Sequence, residues 1–221
     1  MDIRCEDYNG SQHVIQREIQ DEWGELSQVL KGMPLHLKPS RQKGMKGDPI
    51  FDPVATNKYI REELTELGWE YNASVPSEFQ VLGQDVDFAK SGAVIEVQFS
   101  NYPFLSNNVL RTELFHRSEV EFAGEKASLL IVVTKAHMFP ASNSTLYHEQ
   151  GVGLLKALDD YGIFNTPIRL VGLFEEQNTG VPAIWSEYPA TYSREAGSQA
   201  NSECRITPGT NPKSRCDLEV L

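Results

Sequence analysis

Four stretches of the chain place apolar residues three or four positions apart, which is the spacing of an amphipathic helix. The first covers residues 13–31. The second begins at Asp52 and Pro53, where Asp52 can cap the helix and Pro53 suits its first turn. Gly68 provides the stop signal for this helix. Two further helices are predicted over residues 103–118 and 145–160.

Four other stretches carry the patterns of β-strands. Residues 84–90 and 93–99 alternate apolar and polar side chains, as in a strand with one face against the core. Residues 127–136 are continuously apolar in their middle, so we expect a strand buried on both faces, and residues 167–175 are expected to form another strand. Helices and strands mixed in this order predict one α/β domain with a mixed β-sheet core flanked by helices. Residues 1–188 would form it. The more polar residues 189–221 would add loops or edge strands of the same domain, or be disordered.

Composition limits the classes of protein that fit. The chain has 221 residues and a net charge of −11, which lowers the expectation of nucleic-acid binding. Residues 31–47, however, carry five cations and no acid, so they form either a solvated loop or a phosphate-contacting patch. The three cysteines show no C-x-x-C spacing, which argues against disulfides and zinc. No signal peptide or membrane-spanning run is apparent, so a cytoplasmic location is expected.

The two alternating strands join at Ser91 and Gly92, which we interpret as a two-residue hairpin turn. Counting outward from this turn places Asp87 opposite Glu96, and Asp85 opposite Gln98. The same register puts five apolar side chains on the other face, namely Val86, Phe88, Ile95, Val97 and Phe99. Like charges opposite each other are destabilising. The acids are therefore exposed and screened, or one is protonated in an acid/base pair, or a divalent cation lies between them.

The hairpin sequence "DVDFAKSGAVIEVQFSNYPF" has the form D-x8-E-x-Q and resembles the PD-(D/E)xK nuclease superfamily, with Gln98 where lysine is common. Longer blocks, such as "IEVQFSNYPFLSNNVLRTELFHRS" and "KAHMFPASNSTLYHEQ", resemble the BglII-type restriction endonucleases. The resemblance covers roughly residues 30–193. It implies a restriction-endonuclease-like fold and a homodimeric, Mg²⁺-dependent type II restriction endonuclease. Such an enzyme would cut double-stranded DNA at a palindrome with a GATC core, AGATCT, leaving four-base 5′ overhangs.

The resemblance also implies roles for ten residues. Asp87 and Glu96 would bind the metal with the backbone carbonyl of Val97, while Gln98 and Asn72 would complete the catalytic set. The residues implied to contact DNA are Ser100, Asn101, Asn143, Ser144 and Tyr192.

Other interpretations of these residues stay open from the sequence. Asn143 and Ser144 could cap a helix that starts at Thr145, and Ser100 with Asn101 could form a simple turn. The helix predicted over residues 103–118 could supply part of a dimer interface. The whole chain could instead be a repair or junction nuclease of the same superfamily, or a DNA-binding module without catalytic activity.

Overall fold

The computed structural model describes residues 1–209 and 215–221. Its helices are α1 (Ser11–Arg17), α2 (Gln20–Gly32), α3 (Pro53–Glu66), α4 (Tyr102–Arg117) and α5 (His148–Asp160), with a 3₁₀ helix at Ser77–Leu82. Its strands are β1 (Asp2–Tyr8), β2 (Leu35–Pro39), β3 (Pro49–Phe51), β4 (Glu70–Ser74), β5 (Asp85–Lys90), β6 (Ala93–Val97), β7 (Glu121–Phe122), β8 (Glu125–Lys126), β9 (Leu129–Lys135), β10 (Ile168–Phe174), β11 (Gly180–Glu187), β12 (Ser198–Thr207) and β13 (Asp217–Val220).

A six-stranded mixed sheet forms the centre of the fold, in the order β1-β10-β9-β6-β5-β4. Strands β6, β9 and β10 run parallel, while β1, β4 and β5 pair antiparallel to their neighbours. A second, five-stranded sheet has the order β13-β12-β11-β2-β3. The predicted α/β fold with a mixed sheet flanked by helices is therefore confirmed.

Two hydrophobic clusters cover the two faces of the central sheet. Ile131 and Val133 of β9 contact the cluster that includes α1 to α3 and the second sheet. Leu130 and Val132, which alternate with them, contact the cluster that includes α4 and α5. Every residue of β9 is buried, so the prediction that this apolar run is a strand covered on both faces is confirmed. The strand predicted over residues 167–175 is also present as β10, and it too is buried along its whole length.

Some predicted boundaries differ from the structure. The helix predicted over residues 13–31 is two helices, because Ile19 leaves helical dihedral angles (φ −134°, ψ 36°) while its side chain stays in the core. The apolar pattern continues across this break, since both helices bury the same side against one cluster. The segment 189–221 contains the ten-residue strand β12, which pairs with β11 and β13. Residues 210–214 of that segment lie outside the described part of the chain.

Strand β1 and the short strands β2, β3 and β4 were not predicted. Most side chains of β1 are at least partly exposed, because β1 is an edge strand of the central sheet. Its ladder to β10, rather than an apolar pattern, defines it. Within residues 1–209 and 215–221, none of the helices has both the length and the apolar character that crossing a membrane requires.

Candidate active site

The hairpin of β5 and β6 turns at Ser91 and Gly92, both of which have positive φ (47° and 79°). A Cβ at Gly92 would lie 2.5 Å from the backbone oxygen of Lys126, so only glycine fits there. The ladder pairs Phe88 with Ile95 and Lys90 with Ala93. The predicted turn and the register next to it are therefore confirmed.

The alternation of faces breaks just before this ladder. Phe88 belongs to the cluster beneath α3, whereas Val86 belongs to the cluster beneath α4, although the two residues are two positions apart. The prediction that they share one face is therefore wrong. On the neighbouring strand Asn72 has a left-handed φ of 51°, and no ladder pair joins it to Asp87. The register on either side places these two residues opposite each other, so the distortion is centred on them.

Asp87 and Glu96 are each held by a group of the surrounding structure. The Oδ2 atom of Asp87 accepts a hydrogen bond of 2.7 Å from the backbone N–H of Val97. Glu96 is 5% exposed, and one of its carboxylate oxygens forms a hydrogen-bonded ion pair with Arg111 of α4. Arg111 also donates from Nη1 to the backbone oxygen of Asp85 at 2.8 Å. One buried guanidinium thus connects both strands of the hairpin.

Burial raises the pKa of Glu96 to about 8, although the charge of Arg111 acts in the opposite direction and that of Asp87 adds to the rise. Burial also raises the pKa of Asp87, against the lowering effects of the Val97 N–H and of Arg111. Both carboxyl groups are therefore harder to ionise than free side chains. A bound cation would favour the charged form of each.

The oxygens at this position fit a hard divalent cation. Within the described residues, the second carboxylate oxygen of Asp87 and of Glu96 accepts no hydrogen bond. The carbonyl of Val97 points to the same side of its strand as the N–H that contacts Asp87. No group of three or more acidic, histidine or cysteine side chains that could hold a metal occurs among the described residues. Mg²⁺ commonly takes one or two carboxylates and completes its shell with water and substrate phosphate oxygens.

Gln98 follows β6, two residues after Glu96, and Asn72 lies on β4, next to the strand that carries Asp87. The backbone N–H of Gln98 donates to the Val133 oxygen at 2.8 Å, which continues the pairing of β6 with β9. The side-chain amide of Gln98 donates to the hydroxyl of Ser100. Asn72 is exposed on β4. The structure therefore brings Asp87, Glu96, Gln98 and Asn72 to one end of the central sheet.

The two pairs of residues implied to read bases are adjacent in space. The backbone oxygen of Ser100 accepts hydrogen bonds from the backbone N–H groups of Thr145 at 3.0 Å and Leu146 at 3.1 Å. The Ser144 hydroxyl lies 2.9 Å from the same oxygen, and the Thr145 hydroxyl lies 3.3 Å from the Asn101 side chain. The segment after β6 and the segment before α5 therefore form one surface.

The helix-cap interpretation of Asn143 and Ser144 is wrong. Helix α5 begins at His148, three residues later than predicted, and no side chain caps its N-terminus. Asn143 is exposed with a φ of 50°, and its amide makes no hydrogen bond to any described residue. This side chain is therefore free to contact a ligand.

Lys135 was not singled out from the sequence because it ends an apolar strand. It is completely buried, and its Nζ donates to the backbone oxygens of Phe99 and Leu146, both at 2.9 Å, and to the Ser144 hydroxyl. The ammonium group also lies 4.4 Å from the ring centroid of Tyr147. It thereby joins the end of the candidate catalytic strand to the segment that carries Asn143.

Arg111 was also missed, although it left a signal in the sequence. It lies four positions before the buried Phe115, so it had to fall on the buried face of its helix. A lone cation on such a face indicates a buried anionic partner.

Part of the basic segment, residues 31–47, lies beside two of the predicted DNA contacts. Residues 40–48 form a closed loop in which the N–H of Gly47 donates to the Ser40 oxygen at 2.9 Å. This loop borders a cavity of about 710 Å³ whose lining includes Arg41, Asn143 and Tyr192. Tyr192 is 95% exposed at its edge. The structure thus groups Lys38 and Arg41 of this segment with Asn143 and Tyr192.

Comparison with known proteins gives one consistent answer. The family described as Restriction endonuclease BglII/BglIII matches residues 3–173. Type II restriction enzyme BglII of Bacillus subtilis is 42% identical over 216 residues, which are 97% of this chain and 96% of that protein. The crystal structure of BglII complexed with a DNA 16-mer matches with a TM-score of 0.95 at 41% identity, covering 100% of both chains. Free BglII matches with a TM-score of 0.78 at 39% identity, also over 100% of both chains.

The family match spans most of the chain, and the relative is similar from end to end. The hairpin with its two acids, the Gln98 position and the adjoining polar segments all lie inside the matched region. The chain therefore belongs to the BglII family of type II restriction endonucleases, which are enzymes that cleave DNA at specific sites.

Proposed function

We propose that this enzyme uses Mg²⁺ to cleave double-stranded DNA at a palindrome with a GATC core, AGATCT, leaving four-base 5′ overhangs. The observation that carries the proposal is the pair of carboxyl groups of the half-buried Asp87 and the buried Glu96, held beside a surface of polar side chains. Relatives that match the whole chain and bear the name BglII support the recognition sequence.

Each residue of the site has a distinct chemical task. Bound Mg²⁺ would polarise the phosphate and lower the pKa of a coordinated water. Asp87, Glu96 and the carbonyl of Val97 would hold the ion. Arg111 orients Glu96 by the ion pair described above. Gln98 carries no charge and cannot act as a base at neutral pH, so it orients water or a phosphate oxygen by hydrogen bonds. Asn72, opposite Asp87, would contact the substrate at the same end of the sheet.

Recognition of the bases would come from the surface next to this pair. An asparagine amide offers one donor and one acceptor, which match N6 and N7 of adenine. Asn101 and Asn143 supply such amides, while Ser100 and Ser144 carry hydroxyls that suit several bases. Ser144 has less freedom, because its hydroxyl already contacts Phe99, Ser100 and Lys135. Tyr192 would contact DNA from the far side of the cavity.

A palindromic site requires two copies of the reading surface related by a two-fold axis. Helix α4 exposes large apolar side chains, with Tyr102, Phe104 and Leu110 exposed by 47%, 50% and 55%. We infer that these exposed side chains of α4 form part of a homodimer interface. The enzyme would work in the cytoplasm, with residues 1–188 as the catalytic α/β domain and residues 189–221 as an extension of it.

A cleavage assay tests this function against the two alternatives. The enzyme is incubated with long unmodified DNA, with and without Mg²⁺, and the fragments are separated. Discrete bands that vanish with a chelator, and whose ends map to AGATCT, are expected. A smear or cutting only at branched DNA would indicate a different nuclease, and binding without cutting would indicate a non-catalytic module.

A further inference from the structure

A second cavity opens directly beside the acidic pair. Its volume is about 440 Å³, and Asp87 and Val97 form part of its wall. The opposite wall consists of one face of α3, where Asn57, Lys58 and Arg61 are spaced one and then three positions apart. Arg194 and the acid Glu195, which precede β12, complete the lining with three uncharged side chains, Val54, Tyr71 and Phe88. Three cations therefore line this space, together with Asp87 and the exposed Glu195.

Two of these cations have no anionic partner among the described residues. Arg61 and Arg194 form no salt bridge within residues 1–209 and 215–221, and the guanidinium of Arg61 lies 5.6 Å from the ring centroid of Tyr71. Lys58 lies 3.7 Å from Glu195 and 3.9 Å from Glu62, and all three side chains are substantially exposed. Exposed pairs at such distances are weak, so Lys58 can exchange them for another anion.

The chemistry of the site lacks a positive charge that this cavity can supply. Gln98 stands where lysine is common in related nucleases, so no side chain at that position neutralises phosphate charge. A planar guanidinium binds phosphate oxygens through two parallel hydrogen bonds. The cavity lies next to Asp87, and a DNA strand passing the acidic pair would run along its opening.

We infer that Arg61 and Arg194 bind the non-bridging oxygens of one phosphate of the DNA strand, next to the phosphate that is cut. Lys58 adds positive charge to the same position. The inference rests on the proposed nuclease function and extends it, since it assigns a phosphate-binding site to residues outside the acidic hairpin. These residues position the substrate and take no part in bond breaking.

The test combines protein variants with chemically altered DNA. Arg61→Gln and Arg194→Gln remove the charge while keeping a hydrogen-bonding side chain, and Arg61→Lys restores the charge. Arg17→Gln is the control, because Arg17 is an exposed arginine of α1 that does not line this cavity. Thermal unfolding verifies that each variant is folded. Single-turnover cleavage and equilibrium binding are measured on the cognate duplex, and on duplexes with one neutral methylphosphonate at each position near the cut.

We expect Arg61→Gln and Arg194→Gln each to slow cleavage by about ten- to a hundredfold, as expected for a lost charged hydrogen bond. The slope of the logarithm of the binding constant against the logarithm of the salt concentration should become shallower by about one, which corresponds to one lost phosphate contact. Arg61→Lys should recover part of the rate, and Arg17→Gln should match the unaltered enzyme. A methylphosphonate at one position should slow cleavage by the unaltered enzyme but should not slow cleavage by Arg61→Gln any further.

Two results would overturn the inference. One is cleavage by both glutamine variants at the unaltered rate. The other is that a methylphosphonate at each position slows cleavage by the same factor in the unaltered enzyme and in Arg61→Gln. In both cases the unaltered enzyme still cuts at discrete sites, so only the phosphate site fails. If the unaltered enzyme cuts no DNA, the proposed function fails and this inference fails with it.

Discussion

The carboxylate of Asp87 accepts a hydrogen bond of 2.7 Å from the backbone N–H of Val97, across the hairpin and beyond the last ladder pair of β5 and β6. A side chain thus links the strands where their backbone pairing has ended. This contact fixes one oxygen of Asp87, leaves the other without a hydrogen bond among the described residues, and directs the Val97 carbonyl toward the same space. The acidic pair is therefore arranged around a position that a cation can occupy.

Asp87→Asn should separate the structural role of this side chain from its charge. The amide oxygen of asparagine can still accept the hydrogen bond from Val97, so we expect normal folding and DNA binding. Cleavage with Mg²⁺ should fall by about a thousandfold or more, because metal catalysis contributes several kcal/mol. Asp160→Asn, at the exposed end of α5, is the control. Single-turnover rates check the prediction, and cleavage by Asp87→Asn at the unaltered rate would rule out Asp87 as a metal ligand.

Asn143 allows its side chain and its backbone conformation to be tested separately. Asn143→Ala and Asn143→Gly both remove the amide, but only glycine adopts the φ of 50° without strain. If the amide reads adenine, both variants should lose about 1–3 kcal/mol of cognate binding while affinity for unrelated DNA stays constant. Equilibrium titrations with cognate and unrelated duplexes measure this. A loss in Asn143→Ala that Asn143→Gly does not share would mean that only the backbone matters.

Lys135 should give a pH-dependent difference in stability. Burial lowers the pKa of Lys135 to about 7, and the charge of Arg215 acts in the same direction. Because the folded state binds the proton of Lys135 less tightly than the unfolded chain does, its stability declines as pH falls from the unfolded pKa toward about 7. Lys135→Met lacks this titration, so from pH 9.5 to 7.5 the free energy of unfolding of the unaltered enzyme should fall by about 2–3 kcal/mol relative to the variant.

Denaturant unfolding at both pH values checks this, with Lys156→Met as the exposed control. The variant should also discriminate less well between cognate and single-mismatch sites, since the Ser144 segment loses its anchor. If the stability difference between the unaltered enzyme and Lys135→Met is the same at both pH values, the lowered pKa of Lys135 is contradicted.

Leu110→Glu should weaken the proposed dimer. An exposed leucine is replaced by a carboxylate, which is costly to bury in an apolar interface. We expect sedimentation to show a monomer at concentrations where the unaltered enzyme is a dimer, and cleavage to fall with it. Leu67→Glu, at an exposed leucine after α3, should leave both unchanged. If Leu110→Glu sediments like the unaltered enzyme, Leu110 lies outside the interface.

The sequence predicted the parts of the site that depend on local pattern. Alternation and the Ser91–Gly92 turn placed Asp87 and Glu96 on facing strands, because a tight turn determines which residues pair. The two polar segments near Ser100 and Asn143 were found only through family resemblance. Nothing local indicates that residues 45 and 46 positions apart share hydrogen bonds, as Ser100 does with Thr145 and Leu146.

The parts that were missed depend on contacts between distant elements. The reversal of faces between Val86 and Phe88 accompanies a left-handed Asn72 on another strand, which a period-two pattern cannot reveal. The sequence places Lys135 at the end of an apolar strand and does not reveal the backbone carbonyls that surround its Nζ. The edge strand β1 forms by pairing with β10 and carries no apolar signature of its own.

A crystal structure with cognate duplex and Ca²⁺, which occupies Mg²⁺ sites while slowing hydrolysis, examines the metal site itself. We expect one ion bound by a carboxylate oxygen of Asp87, a carboxylate oxygen of Glu96 and the carbonyl of Val97, with a DNA phosphate oxygen completing its shell at about 2.3–2.6 Å. Glu96→Gln crystals grown in the same way should lack the ion. Density for DNA in the cleft with no ion between Asp87 and Glu96 would contradict the proposed mechanism of cleavage.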